Sequence, residues 1–275
     1  MHVQSPLVLR KTAKESAATI LKDVALAVGV DIRGWRQLKR RFKGDLDSKL
    51  YDLDGTGGGE RLAAIVESSR ETMAFYKPLL SAMTAAEFEK NAQARTMPVL
   101  RELLPQIKSA VSVGCCYAKA EAILASEVPT VHWHCLDFMP DLAEQNRDIA
   151  RNNMSFHAGY PLDWIKAAAP FDLALFNRVL CVMSPAEVSA YLTTLREKCR
   201  FIVFGEQTKL HTYWRGINLD RVKAPKRVRL HYVYNWRALM EEHGFRMIHY
   251  EGRRSALTRE HGPQHCVIIG VAERK

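Results

Sequence analysis

The segment 110–125, AVSVGCCYAKAEAILA, has the pattern of a short apolar strand, a tight turn and a helix. Turns that bind nucleotide cofactors usually carry two or three glycines, because a small or absent side chain lets the backbone approach the ligand. Here Gly114 is followed by Cys115, Cys116 and Tyr117. We interpret the segment as a cofactor-binding turn with unusual side chains; the alternative is a buried strand that simply leads into a helix.

A carboxylate closes the next apolar segment, VHWHCLDF (131–138). Asp137 lies 23 residues beyond Gly114. At the end of a second strand it can accept hydrogen bonds from both hydroxyls of a ribose. Phe138 follows, and its ring could lie against an adenine. The alternative role for Asp137 is the N-cap of the next helix.

From residue 110 onwards, apolar strand-like segments alternate with helical ones. The predicted strands are 110–113, 131–138, 153–158, 172–176 and 201–205, and the predicted helices lie near 118–126, 141–152, 162–168, 186–198 and 235–243. Such alternation predicts a mostly parallel sheet with helices on both faces, the doubly wound α/β class. Two successive strands, 245–251 and 265–273, predict a closing hairpin with one antiparallel strand.

In this order, the segments resemble the class I S-adenosylmethionine-dependent methyltransferases over residues 105–275. The resemblance rests on V-S-V-G-C-C after the first strand, L-D-F closing the second, F-D-L-A-L-F-N at the fourth and H-G-F at the last helix-to-strand turn. It implies a Rossmann-like, seven-stranded sheet with an antiparallel terminal strand, and an enzyme that uses S-adenosylmethionine as cofactor. A weakened glycine pattern suits this cofactor better than NAD, because the methionyl group needs no pyrophosphate cradle.

The resemblance also assigns candidate contacts at the ends of the first four strands. The second glycine of the family pattern falls at Cys116, and the family often has an acidic or amide group after the third strand, where this sequence has His157. Asn177 and Arg178 follow the fourth strand, where methyl group and substrate usually meet. Arg178 could pair with a substrate anion or form a structural salt bridge. The candidate cofactor-binding residues are Gly114, Cys116, Tyr117, Asp137, Phe138, His157 and Asn177.

The segment 205–236 is predicted to be a lid over the substrate, because ligands bind beyond the carboxyl ends of parallel strands. Its two histidines, His231 and His211, are candidate general bases toward a hydroxyl acceptor, and Glu206 is a third catalytic candidate. An amine acceptor needs only to be neutral and correctly aimed. The candidate substrate-binding residues are Arg178, Tyr213, Trp214, Tyr232 and Tyr234.

Other motifs compete with this interpretation. His132, His134 and Cys135 could hold a metal, but a fourth ligand at a sensible spacing is missing, so we expect no metal site. The two vicinal cysteines of the turn are predicted to be small turn-filling residues, because vicinal cysteines rarely form an unstrained disulfide. The segment 51–59 contains D-x-D-G-T, but it lacks the long preceding strand of a phosphatase nucleophile and the later ligands of a calcium loop.

Residues 1–104 are predicted to form an N-terminal helical domain that acts as a substrate cap or as an interaction surface. Ile32, Trp35, Leu38 and Phe42 recur there at helical spacing, and basic residues cover the remaining faces. Such a basic face is either a solvated surface or a contact for an acidic partner.

The formal net charge of +10 favours anionic partners. The preferred function is methylation, on oxygen or nitrogen, of a small polar or anionic acceptor. The alternatives are an RNA methyltransferase that uses the basic stretches 33–43 and 221–229, disfavoured because no RNA-binding module is recognisable, and a non-catalytic scaffold.

The sequence contains no apolar run of about 18 residues, so no membrane span is predicted. The cysteine pattern favours a reducing cytoplasm, and a homodimer is left open.

Overall fold

The computed structural model describes residues 58–209, 225–228, 231–254 and 265–275. Its helices are α1 (Gly58–Ser81), α2 (Ala85–Phe88), α3 (Met97–Leu103), α4 (Lys119–Glu127), α5 (Leu142–Gln145), α6 (Pro161–Ala167), α7 (Pro185–Lys198) and α8 (Trp236–Glu242). Short 3-10 helices cover Ala92–Ala94, Leu104–Gln106 and Leu180–Val182. None of the described helices carries an apolar stretch long enough to cross a membrane.

Within the described residues, seven strands form one sheet: β1 (Ser109–Val113), β2 (His132–Asp137), β3 (Met154–Ala158), β4 (Phe171–Asn177), β5 (Cys199–Lys209), β8 (Phe245–Arg254) and β9 (His265–Arg274). Their order across the sheet is β3-β2-β1-β4-β5-β9-β8. The first five pair in parallel, and β9 runs antiparallel to both β5 and β8. The predicted doubly wound sheet with an antiparallel terminal strand is therefore confirmed.

The central strands β1 and β4 are buried on both faces, which explains why they are largely apolar. Along β4, Leu173 and Leu175 belong to one buried layer, whereas Ala174 and Phe176 belong to the other. Side chains that alternate along a strand point to opposite faces. Both layers therefore have to be apolar.

The described part of the N-terminal region packs on the sheet. Leu80 of α1, Phe88 of α2 and Leu100 of α3 are buried in the same layer as Leu175 of β4. The helices 58–103 thus cover one face of the sheet. The proposed boundary at residue 104 and a separate N-terminal domain stay predictions.

Helix ends follow side-chain capping. Ser184 accepts a hydrogen bond from the backbone N–H of Glu187, and the Glu187 carboxylate accepts from the Ser184 N–H, so α7, predicted near 186–198, begins after a capping box. The helix predicted near 141–152 is shorter: α5 ends at Gln145. At Asn146 the side-chain amide donates to the Leu142 carbonyl, and such local bonds compete with helix propagation.

The predicted lid lies only partly within the described residues. Its beginning continues β5, and two short strands, β6 (Lys226–Val228) and β7 (His231–Val233), pair antiparallel to each other. Residues 210–224 and 229–230 lie outside the description.

A substitution at Gly270 in β9 would test how closely β9 packs against its two neighbouring strands. A Cβ there would stand 2.2 Å from Phe204 Cζ and 2.8 Å from Met247 Cε, and β9 is held between β5 and β8. We expect Gly270→Ala to lower the free energy of unfolding by about 1–3 kcal/mol, the usual cost of overpacking, in urea denaturation. Phe204→Leu removes the obstructing ring, so the double variant should lose less than the sum of the single variants. Strict additivity would contradict this packing.

Candidate functional site

The loops that follow β1 to β4 meet at one edge of the sheet. Val113 pairs with Leu136 of β2 and with Phe176 of β4, and Asp137 pairs with Ala158 of β3. Parallel strands end at the same edge, and ligands of such sheets bind there. We call residues 114–118, 137–139, 159–160 and 177–182 the loop edge.

The turn after β1 is tight and partly strained. The N–H groups of Gly114 and Cys115 both donate to the Leu136 carbonyl, at 2.8 and 3.1 Å. Gly114 has φ +67°, and Cys116 has φ +51°, a left-handed conformation that is unusual for a residue with a side chain. Cys116 therefore occupies a conformation that favours glycine. It stands at the position where the family resemblance predicts the second glycine of the turn.

Gly114 also has to be glycine because of its neighbour. A Cβ at this position would stand 2.6 Å from Val179 Cγ2 in the loop after β4. The backbone of the turn thus packs directly on a side chain of the neighbouring loop. The two loops cannot be separated without opening the loop edge.

Asp137 joins the end of β2 to this turn. Its Oδ2 accepts the Cys116 N–H at 2.9 Å, and the residue is only 3% exposed. Its Oδ1 is buried and has no hydrogen-bond partner among the described residues. Burial raises the pKa of Asp137, opposed by the N–H groups of Cys116, Met139 and Phe138. The Ser69 side chain of α1 also lowers this pKa.

An aromatic pair lies beside Asp137. The rings of Phe138 and Tyr160 have centroids 5.6 Å apart at 45°. Between β3 and Tyr160, Gly159 has φ +121° and donates its N–H to the Asp137 carbonyl, and a Cβ on Gly159 would meet no atom within 4 Å. The loop edge is therefore open at Gly159, next to two aromatic rings and a buried carboxylate.

The loop after β4 carries the other strained residue. Arg178 has φ +65°, and its N–H donates to the Gly205 carbonyl at 2.8 Å. The Asn177 side chain donates to the Gln93 carbonyl at 2.8 Å, which ties the loop to the N-terminal helices. Strained residues of this kind concentrate at functional sites.

The fold can be compared with known proteins at this point. No family model matches the chain, and no curated protein matches it. Among solved structures, the N-methyltransferase NodS from Bradyrhizobium japonicum WM9, in complex with S-adenosylhomocysteine, has a TM-score of 0.54 at 14% identity over 76% of this chain and 98% of that chain. The chain has the class I methyltransferase fold.

Two further structures agree. Human N-acetylserotonin methyltransferase in complex with S-adenosylmethionine has a TM-score of 0.54 at 15% identity, over 86% of this chain and 68% of that chain. Burkholderia thailandensis 1,6-didemethyltoxoflavin-N1-methyltransferase, with 1,6-didemethyltoxoflavin and S-adenosylhomocysteine bound, has a TM-score of 0.53 at 13% identity, over 80% of this chain and 92% of that chain. At such identities the likeness establishes the methyltransferase fold.

Within this methyltransferase fold, Asn146 is a site residue that the sequence interpretation missed. Its Oδ1 accepts the Ala118 N–H at 2.9 Å, and its Nδ2 donates to the Cys116 carbonyl at 3.0 Å, so it clamps the turn after β1. It is fully buried. A signal existed: Asn146 lies four residues after Leu142 and three before Ile149, which puts a lone amide on an apolar helical face.

Tyr117 anchors the N-terminal helices to the methyltransferase sheet. Its side chain is buried, and its hydroxyl donates to Asp148 Oδ2 at 2.5 Å. Lys77 of α1 donates to the Gln145 carbonyl at 2.5 Å and lies 6.0 Å from the centre of the Tyr117 ring. Met73 of α1 is buried in the same layer. A contact between the Tyr117 side chain and the cofactor stays a prediction. In this structure its hydroxyl is bonded to Asp148, and its ring lies in the buried layer that includes Met73 of α1.

The predicted cofactor residue His157 lies in a histidine cluster on β2 and β3. His157 Nε2 is 3.3 Å from His134 Nδ1 and 3.1 Å from Ser155 Oγ, and the rings of His134 and Trp164 are 5.0 Å apart. Burial lowers the pKa of His134 to about 4 and also lowers that of His157, with repulsion from His132 adding to both. Within the described part of the chain, no three His, Cys, Asp or Glu side chains are grouped to hold a metal ion.

Glu206 lies beneath the loop after β4. It is 1% exposed, and its two oxygens accept three backbone N–H groups of that loop, from Val179, Leu180 and Cys181, at 3.0–3.2 Å. A carboxylate occupied in this way does not face a ligand. The arrangement therefore speaks against the direct catalytic role predicted for Glu206.

The other lid residues divide into two groups. Tyr234 is buried, donates to the Met183 carbonyl at 2.9 Å and lies 4.8 Å from the ring of Trp236, so its side chain supports the lid from within. Tyr232 is half-buried, with its ring 6.0 Å from that of Tyr234. His231 begins β7, but its side chain lies outside the description, as do the following predicted residues: His211, Tyr213 and Trp214.

The two thiols of the turn are held protonated. Burial raises the pKa of Cys115 well above its ordinary value and that of Cys116 to about 12, and the charge of Asp137 adds to both shifts. Thiolates are the reactive form of cysteine, so these thiols are poor nucleophiles. This agrees with a turn-filling role.

Replacing Cys116 tests the strain in the turn. Relief of a left-handed side chain is worth about 1–2 kcal/mol. The extra backbone freedom of glycine offsets about 0.5–1 kcal/mol of that gain. We therefore expect Cys116→Gly to be more stable than Cys116→Ala by about 0.5–1 kcal/mol in urea denaturation. Both variants lose the sulfur, so their difference isolates the Cβ. If Cys116→Ala were the more stable variant, the left-handed conformation would be contradicted.

Proposed function

We propose that the chain is an S-adenosylmethionine-dependent methyltransferase whose cofactor site is the loop edge, and that its acceptor is a small polar or anionic molecule. One observation carries the cofactor assignment. Asp137, at the end of β2 in a methyltransferase fold, has a buried oxygen without a hydrogen-bond partner among the described residues. Buried polar atoms almost always have a partner, and at the end of β2, beside the open space at Gly159, a ligand hydroxyl could supply the one that Asp137 lacks.

The residues present fit the cofactor. A ribose hydroxyl would give Asp137 Oδ1 the hydrogen bond that it lacks, and a donor there would favour the ionised carboxylate against its burial. The open space at Gly159, beside Phe138 and Tyr160, suits a planar base. The backbone of the turn from Gly114 to Cys116 suits the methionyl end, because this turn leaves β1 at the loop edge and is bonded to Asp137 through the Cys116 N–H.

When bound, S-adenosylmethionine would supply a methyl group on a sulfonium, ready for in-line displacement. The contribution of this chain is then to position the acceptor and to exclude water, since orientation supplies much of the rate of such a displacement. Arg178, at the end of β4, is the proposed acceptor-side residue, and Asn177 beside it stays a predicted cofactor contact. His231, or His211 in its place, stays the predicted general base for a hydroxyl acceptor.

The packing of the N-terminal helices supports a small acceptor. Lys77 and Tyr117 hold α1 over the turn after β1, and Asn177 ties the loop after β4 to the helix at Gln93. These contacts bring the N-terminal helices against two of the loops of the loop edge, which supports an acceptor site narrow enough for a small molecule. The toxoflavin enzyme among the structural neighbours holds a small acceptor, which is consistent with this proposal.

Calorimetry tests the cofactor site. We expect S-adenosylhomocysteine to bind the full chain, and Asp137→Asn to weaken binding by about 1.5–3 kcal/mol, the worth of a hydrogen bond to a charged group. Asp163→Asn is the matched control, because Asp163 is an exposed carboxylate on α6, and it should leave the affinity unchanged. Binding of NAD without binding of S-adenosylhomocysteine would overturn the assignment.

RNA is the second candidate acceptor, and the net charge of +10 favours it. Labelled S-adenosylmethionine offered with separate metabolite and RNA fractions distinguishes the two classes. We expect the label in the metabolite fraction, and filter binding to RNA that is weak at physiological salt. Label in RNA, together with affinity that falls steeply with salt, would contradict the small acceptor. Cofactor binding without label in either fraction would favour a non-catalytic scaffold.

A further inference from the structure

The Glu206 carboxylate accepts hydrogen bonds from three consecutive backbone N–H groups. Oε1 accepts the N–H groups of Val179 at 3.2 Å and Leu180 at 3.0 Å, and Oε2 accepts that of Cys181 at 3.0 Å. These are the N–H groups at the start of the short helix Leu180–Val182, which have no partner within the helix. A single carboxylate therefore fixes three consecutive residues of the loop after β4.

The fixed residues are those that contact the proposed cofactor turn. Arg178, immediately before them, is held in its left-handed conformation by the bond from its N–H to the Gly205 carbonyl. Val179 then packs where a Cβ of Gly114 would be. Gly205 and Glu206 are adjacent in β5, so one short segment of this strand holds Arg178 and the three residues that follow it.

We propose that Glu206 is a positioning residue: its ionised carboxylate holds the loop after β4 in the conformation that packs Val179 on Gly114, and cofactor binding therefore requires Glu206 in its ionised form. This proposal rests on the proposed function of the loop edge. Glu206 itself touches neither cofactor nor acceptor.

Protonation of Glu206 would weaken the hold on the loop. A carboxylic acid carries an O–H on one of its oxygens, so the backbone N–H bond to that oxygen is weakened, and the Cys181 thiol that also faces the carboxyl is only a weak acceptor for the new proton. Burial raises the pKa of Glu206 to about 7, against the opposing hydrogen bonds from Cys181, Leu180 and Val179. Among the described residues, the other titratable groups that face Glu206 are the Cys181 thiol and the Tyr234 hydroxyl, and burial raises the pKa of Tyr234.

The proposal gives opposite pH dependences for binding and for stability. Affinity should rise with pH through about 7, because the ionised form holds the loop. Stability should fall as pH rises from the ordinary pKa of 4.5 to about 7, because over that range the folded chain binds a proton that the unfolded chain has released. A merely structural carboxylate would show the second dependence without the first.

Glu206→Gln is the decisive variant. An amide keeps the shape but offers one acceptor oxygen, and its NH2 group would face a backbone donor. At pH 8 we expect the Kd for S-adenosylhomocysteine to rise about tenfold, the loss expected for one hydrogen bond to a charged group. At pH 6 the variant and the wild type should differ little. Glu206→Asp, which keeps the charge, should retain the pH dependence at reduced affinity.

Asp172→Asn is the matched control. Asp172 also accepts two backbone N–H groups, from Lys108 and Ser109, at 2.7 and 3.0 Å, but it lies at the beginning of β4, away from the loop edge. This variant should lose stability and keep both the affinity and its pH dependence.

Proton release on binding gives a second measurement. Calorimetry at pH 6.5 in buffers of different ionisation enthalpy should show that wild-type chain releases protons when it binds S-adenosylhomocysteine, and that Glu206→Gln releases fewer. Equal release and equal affinity in the two proteins would overturn the positioning role and leave the proposed function intact. If the wild-type chain released no protons on binding, the positioning role would also be overturned, and this result does not depend on whether the variant folds. No binding by the wild type at any pH would overturn both.

Discussion

The site depends on how closely two loops can approach. β1 and β4 are neighbours in the sheet, so the turn after β1 and the loop after β4 leave it side by side. Val179 of the second loop fills the volume that a Cβ of Gly114 would need. Because Gly114 has no side chain, the loops close on each other, and the parts of the loop edge that follow β2 and β3 lie beside that contact.

Two buried carboxylates, those of Asp137 and Glu206, stabilise backbone at the loop edge that is strained because residues other than glycine adopt left-handed conformations there. Cys116 adopts a left-handed conformation at a cost of about 1–2 kcal/mol. Its N–H donates to the Asp137 carboxylate, and a hydrogen bond to a charged group contributes about 1.5–3 kcal/mol. The bond is thus large enough to offset the strain. Arg178 is held similarly, between Gly205 and the three bonds of Glu206. This explains how a turn with a single glycine can keep a glycine-like shape.

The sequence predicted the features that depend on local pattern. Alternating apolar segments gave the strands of the sheet, and the two successive terminal strands gave the antiparallel β9. Gly114 and Asp137 were placed at the ends of adjacent strands because strand ends are visible as breaks in apolar runs. The capping box at Ser184 and Glu187 is likewise a local signal.

Long-range contacts could not be predicted in this way. The burial of Glu206 depends on backbone N–H groups 25 to 27 residues away, and the bond from Asn177 to Gln93 spans 84 residues. No local pattern distinguishes an exposed glutamate from one buried beneath a loop. The shortened α5 depends on an amide that is shared with the turn after β1, which again becomes visible only when both segments are in place.

A crystal structure of the full chain with S-adenosylhomocysteine would test the central claim most directly. The account predicts ribose hydroxyl oxygens within hydrogen-bond distance of Asp137 Oδ1, with the turn from Gly114 to Cys116 and the contact to Val179 unchanged. A ligand bound elsewhere, or a ribose that leaves Asp137 Oδ1 without a partner, would contradict it.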